Sequence, residues 1–130
     1  MASDEAETAE LIRQYLLTAA EHYVSARQLD LTGNRAVGRA TNRYADQLRQ
    51  IASTIGRKGP DAISAFGALL DEPRNKVQNW AAFHILEVMD APSGLVDRAF
   101  AVLEDFATGK GVEAYGTRLR LRELREQFGR

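Results

Sequence analysis

Apolar residues in this chain recur at three- and four-residue steps from Leu11 to Phe128, and nowhere do they alternate with polar residues over a strand's length. That periodicity, cut by Gly and Pro into six segments, predicts an all-α fold. The first segment, Asp4 to Gln28, follows Ser3 as an N-cap and places Asp4, Glu5 and Glu7 where the helix dipole favours negative charge. Its apolar stripe is Leu11 or Ile12, then Tyr15, Ala19, Tyr23 and Ala26. Asp30 to Asn34 reads as a turn. Val37, Ala40, Tyr44, Leu48, Ile51 and Ile55 then form a second helix to Arg57, and the two pair as a hairpin.

Gly59-Pro60 opens a shorter third helix on Ile63, Phe66 and Leu70, closed by Asp71-Glu72-Pro73. A fourth is expected from Arg74 to Met89, a fifth on Val96, Phe100 and Leu103, and a sixth from Val112 onward. At 130 residues, 45% of them apolar, the chain can bury a core as one domain, residues 1–130, with an acidic end over 1–8 expected to fray. It has no cysteine, which excludes a disulfide framework, thiolate catalysis and a cysteine zinc site, and suits a reducing cytoplasm. The acidic N-terminus and short apolar runs show neither signal peptide nor membrane span, so a cytoplasmic location is expected.

An internal repeat organises the second half. Shifted by 35 residues, Val77-Gln78-Asn79-Trp80-Ala81-Ala82 lies over Val112-Glu113-Ala114-Tyr115-Gly116-Thr117, and Leu86 and Met89 fall on Leu121 and Leu124. The fourth helix carries one stripe of Val77, Trp80, Ala81, His84 and Val88 and a second of Ala82, Leu86 and Met89. The sixth repeats both, as Val112, Tyr115, Gly116, Leu119 and as Leu121, Leu124, Phe128. A helix with two apolar faces is sandwiched, which predicts stacked helical hairpins, a short α-α superhelix.

The stretch Leu69-Leu70-Asp71-Glu72-Pro73-Arg74-Asn75-Lys76-Val77-Gln78-Asn79-Trp80-Ala81-Ala82-Phe83-His84-Ile85-Leu86 resembles a HEAT-type motif, with Gln78 where arginine usually follows the valine. With Asn42-Arg43-Tyr44 and the tail from Ala99 to Leu121, residues 9–127 resemble the small bacterial family catalogued as domain of unknown function two thousand and nineteen. The resemblance implies an α-α superhelical fold and no established activity, so it carries over no catalytic residue.

No catalytic, metal or cofactor constellation is legible. Neither His22 nor His84 has a ligating partner at i, i+4, and His84, within the apolar stripe, reads as a hydrogen-bonded core histidine. No Gly-x-Ser-x-Gly elbow or phosphate loop is present, and Asp71-Glu72 and Glu104-Asp105 read as carboxylates at helix ends. A non-enzyme without cofactor is expected. The charge, −1 overall, is unevenly placed: residues 1–31 hold six acidic and two basic groups, residues 32–60 one and six. Arg35, Arg39 and Arg43 form a ridge suited to an acidic partner or to phosphates, or simply a solvated face paired with the acidic first helix.

If the second helix of each hairpin lines a concave side, this ridge joins Asn79, Phe83, Arg118, Arg122 and Arg125 in a cationic surface anchored by one aromatic, unless Phe83 is buried. The resulting expectation is a protein-interaction module for an acidic protein surface, with an immunity- or antitoxin-like role as one setting. Two alternatives stand beside it: nucleic-acid binding through the arginine ridge, and a small-molecule pocket around His84, Trp80 and Tyr115, where a filled core is expected. Leu121, Leu124 and Phe128 either close a homodimer or fold back on the first or fifth helix.

Overall fold

The computed structural model describes residues 2–130, with side chains from Asp4 onward. Six α-helices follow in order: α1 (Ala2–Thr32), α2 (Arg35–Arg57), α3 (Pro60–Gly67), α4 (Val77–Val88), α5 (Ser93–Ala107) and α6 (Val112–Phe128). The described residues contain no strand, and the all-α expectation holds. Among the described residues no helix is long and apolar enough to cross a membrane. The cap expected of Ser3 concerns a side chain outside the described residues, and α1 already begins at Ala2.

Besides α3, which ends at Gly67 and leaves Leu70 in a 3-10 turn over Ala68–Asp71, two helix boundaries differ from the sequence reading. α1 runs four residues beyond Gln28, because Thr32 Oγ1 donates back to the Gln28 carbonyl and the turn shrinks to Gly33-Asn34. Gly33, at φ 61°, sends its N–H to the Leu29 carbonyl, and the left-handed conformation that ends the helix there is one glycine adopts without strain. Asn34 then caps α2, its side chain accepting from the amides of Ala36 at 2.8 Å and Val37 at 3.2 Å. At the other boundary, Asn75 and Lys76 both take positive φ, 55° and 59°, which breaks the helix expected from Arg74 into a 3-10 turn over 74–76 and a separate α4.

The helices succeed one another across the molecule, α1 on α2, α2 on α4, α4 on α5 and α5 on α6, with α3 closing one end. α4 is central. Its six successive residues from Ala81 to Leu86 are all buried, as befits a helix apolar on every side. Tyr15 from α1, Leu48, Ala52 and Ile55 from α2, Phe66 from α3, Leu103 from α5 and Leu121 from α6 complete one continuous core. α3 approaches α5 at Gly67, where a Cβ would lie 2.8 Å from Leu95 Cδ1.

The two-sided burial expected of the sixth helix holds on one side only. Leu121 and Leu124 are 2% and 3% exposed, and Phe128 lies edge-on to Phe100 at 5.6 Å. This stripe folds back on the core and α5, so it does not form the free dimer face that a terminal repeat would have left. The opposite stripe meets solvent: Val112 and Tyr115 are exposed, although Val77, which the sequence pattern aligns with Val112, is fully buried. The reason is positional. α4 has helices on both flanks, whereas α6 packs mainly on α5 and reaches α4 through Arg120 on Phe83 and Glu87.

Candidate functional site

Between the C-terminal half of α1 and the N-terminal half of α6 an open cleft of about 490 Å³ runs over the first turns of α4. Its position follows from helix lengths. α1, with 31 residues, overshoots the 12-residue α4, and so its distal half faces α6 across a gap that α4 only floors. Rings of His22, Tyr23, Trp80, Phe83 and Phe106 make up much of the lining. His22 stands edge-on to Trp80 at 4.8 Å, and Trp80 in turn stacks on His84 at 5.8 Å.

Polar and charged side chains make up much of the rest of the lining, several of them paired with one another. Lys76, on the left-handed turn, pairs with Glu113 at the start of α6 and so spans the space between α4 and α6. Arg120 lies 3.8 Å above the Phe83 ring while its guanidinium holds Glu87 at 2.5 Å. Arg27 folds over Tyr23. Asn79, on the floor, has a buried Oδ1 with no hydrogen-bond partner among the described residues, an arrangement that is costly unless a donor arrives. Burial lowers the His22 pKa from 6.5, Lys76 adds to that effect and Glu113 opposes it, so the imidazole that edges Trp80 is neutral at pH 7.

The two other members of the pocket proposed from sequence lie elsewhere. His84 is a core residue, 3% exposed, its Nδ1 2.7 Å from the Tyr15 hydroxyl. Burial raises the Tyr15 pKa well above 10, so the phenol keeps its proton and donates it to a ring protonated on Nε2. Tyr115 points to solvent beneath Arg118. The expected filled core is therefore found at His84 but not at Trp80, which borders open space. His22, Tyr23, Asn79 and Phe106 are the cleft residues that sequence reasoning missed. The sequence pattern puts Tyr23 on the apolar stripe of the first helix and marks His22 and Asn79 for other reasons, but their meeting needs the length of α1.

The cationic surface is not assembled as expected. Arg35, Arg39 and Arg43 are exposed on the side of α2 away from Thr41, Leu48 and Ala52, and α2 contributes nothing to the cleft. Arg118 is engaged by the carbonyls of Ala107 and Gly109, capping the end of α5, and Arg122 lines a separate α5/α6 groove with it. Phe83 is 7% exposed under Arg120. The physical cause is the direction of α6, which turns Arg118, Arg122 and Arg125 toward α5 rather than toward α2. The turn carboxylates do local work: Glu72 accepts from the Arg74 amide and guanidinium, and Glu104 pairs with Arg125 at 3.2 Å. No protein-family model, curated protein or solved structure matches the chain.

Proposed function

We propose that the chain is a non-catalytic binding module, built of HEAT-like stacked hairpins, whose α1/α4/α6 cleft receives an apolar side chain presented by a protein partner. The observation that carries this reading is the open, ring-lined cleft itself. Its volume lies within the range of ligand sites and accommodates one or two large side chains, and its lining combines aromatic rings with polar and charged side chains. The buried Asn79 Oδ1 offers an acceptor to an incoming N–H or O–H, and the paired charges of Lys76 and Glu113 frame the opening. Trp, Tyr and Arg are residue types that anchor interfaces, and Trp80, Tyr23 and Arg120 meet here.

Gly116 supplies the test. It lines the cleft on α6, and a Cβ built there meets nothing within 4 Å. Gly116→Phe is therefore expected to fold and to fill the cleft. Trp80 is the single tryptophan of the chain, so its emission reports occupancy directly. Anilinonaphthalene sulfonate is expected to bind one per chain and quench Trp80 by energy transfer, with affinity about tenfold or more lower in Gly116→Phe. A partner captured from native lysate by the wild type and not by Gly116→Phe is expected to displace the dye. Undiminished dye binding by the Phe variant excludes the cleft as its site. Gly116→Ala, in contrast, is expected to leave dye binding intact and to stabilise the fold by about 0.5–1 kcal/mol, since it removes a mid-helix glycine.

A further inference from the structure

The outer face of the α1/α2 hairpin is uncovered. Leu17, Val24 and Leu31 are 52%, 56% and 85% exposed. They recur every seven residues, and a heptad drifts by only about 20° on an α-helix, so the three form one line opposite Tyr15 and Ala19. Beside them a groove of about 560 Å³ runs between the two helices, its lining including Ala20, Ala36, Val37, Ala40 and Tyr44. One helix thus carries branched aliphatic knobs, and the other offers small residues that leave room for them.

Charge selects which helix meets which. Beside the groove α1 presents Glu21, whereas the exposed side of α2 carries Arg35, Arg39 and Arg43. Setting α1 on a second α1 gains nothing from this asymmetry, whereas α1 on a second copy's α2 matches opposite signs. The Ser25–Thr41 hydroxyl contact at 2.6 Å fixes the register within the antiparallel hairpin, which places Val24 level with position 42 and Glu21 level with position 45. A two-fold axis running between the helices keeps those levels. Val24 then lies over the partner's Ala40 and Tyr44, and Glu21 comes within a turn of the partner's Arg43. Within the chain neither Glu21 nor Arg43 forms an ion pair among the described residues.

We infer that this face is the docking surface for a second copy of the chain, with α1 of each copy on α2 of the other. The absence of native cysteine makes the geometry directly testable. Val24→Cys and Ala40→Cys, made as separate variants and mixed under mild oxidation, are expected to link into a species of twice the 14.4 kDa chain mass. Either variant alone is expected to stay unlinked. In sedimentation equilibrium the wild type is expected to dimerise and Val24→Glu to remain a monomer with unchanged helical circular dichroism. Glu21→Arg is expected to weaken association about tenfold, and the charge swap Glu21→Arg/Arg43→Glu to restore it. A wild type that stays monomeric at millimolar concentration overturns the proposal and assigns the face to some other partner. Linking of Val24→Cys with itself overturns it in favour of α1 on α1.

Discussion

Acidification below pH 6.5 is expected to destabilise the fold steeply, through His84. Burial holds the pKa of this imidazole down to about 3, with Arg49 and Arg120 adding to the effect, while in the unfolded chain it titrates near 6.5. Between those values the unfolded state binds the extra proton and the folded state does not. Stability is therefore complete above 6.5 and falls by about 1.4 kcal/mol for each unit of pH lost through the window. Over the whole interval that amounts to about 4–5 kcal/mol, a large part of the stability of a typical domain. His22, lowered less, acts in the same direction.

Urea unfolding followed by Trp80 emission at pH 7, 6 and 5 measures the slope. His84→Met is expected to flatten it, although the variant starts lower at pH 7 by about 1–3 kcal/mol because the Tyr15 hydroxyl loses its partner in the core. Adding Tyr15→Phe is expected to recover part of that loss. Stability that does not change between pH 7 and 5 in the wild type contradicts the burial of a neutral ring.

The second large effect separates the two faces of α6. Leu121→Ala removes a side chain packed in the core and is expected to cost about 2–5 kcal/mol, as transfer and cavity terms add. Leu119→Ala, two residues away on the 42% exposed face, is expected to change stability by less than about 0.5 kcal/mol. Thermal or urea unfolding of the pair reads the contrast. Equal losses would mean that the Leu119 face is also covered.

That contrast marks how far the sequence could be read. Six helices, a turn ending at Asn34 and the burial of His84 all follow from local periodicity and turn chemistry, which act over a few residues. The orientation of α6 does not, because both of its stripes are apolar enough to pack, and which one the α5 side of the core covers is decided by tertiary contacts rather than local pattern. The Tyr15–His84 bond joins residues 69 apart in sequence, and no local pattern specifies it. The left-handed pair Asn75-Lys76 was half visible at best: asparagine tolerates positive φ, but lysine has no such preference. The cleft was missed for a related reason. Trp80 was singled out with its neighbours on the fourth and sixth helices, whereas its companions His22 and Tyr23 come from a first helix whose reach depends on one glycine four residues past Leu29.

The far end of the α1/α2 hairpin is held differently from the rest of the molecule. From Ala20 to Gln47 only Ser25 and Thr41 are buried; Thr41 gives its own proton to the Val37 carbonyl, so Ser25 donates to Thr41. A single hydroxyl bridge resists water entry far less than packed hydrocarbon does. Amide hydrogens of this arm should accordingly exchange well before those of α4, as a separate opening unit. Since the arm carries His22, Tyr23 and Arg27, its opening is expected to part His22 from Trp80 and widen the gap above it while the core stays shut.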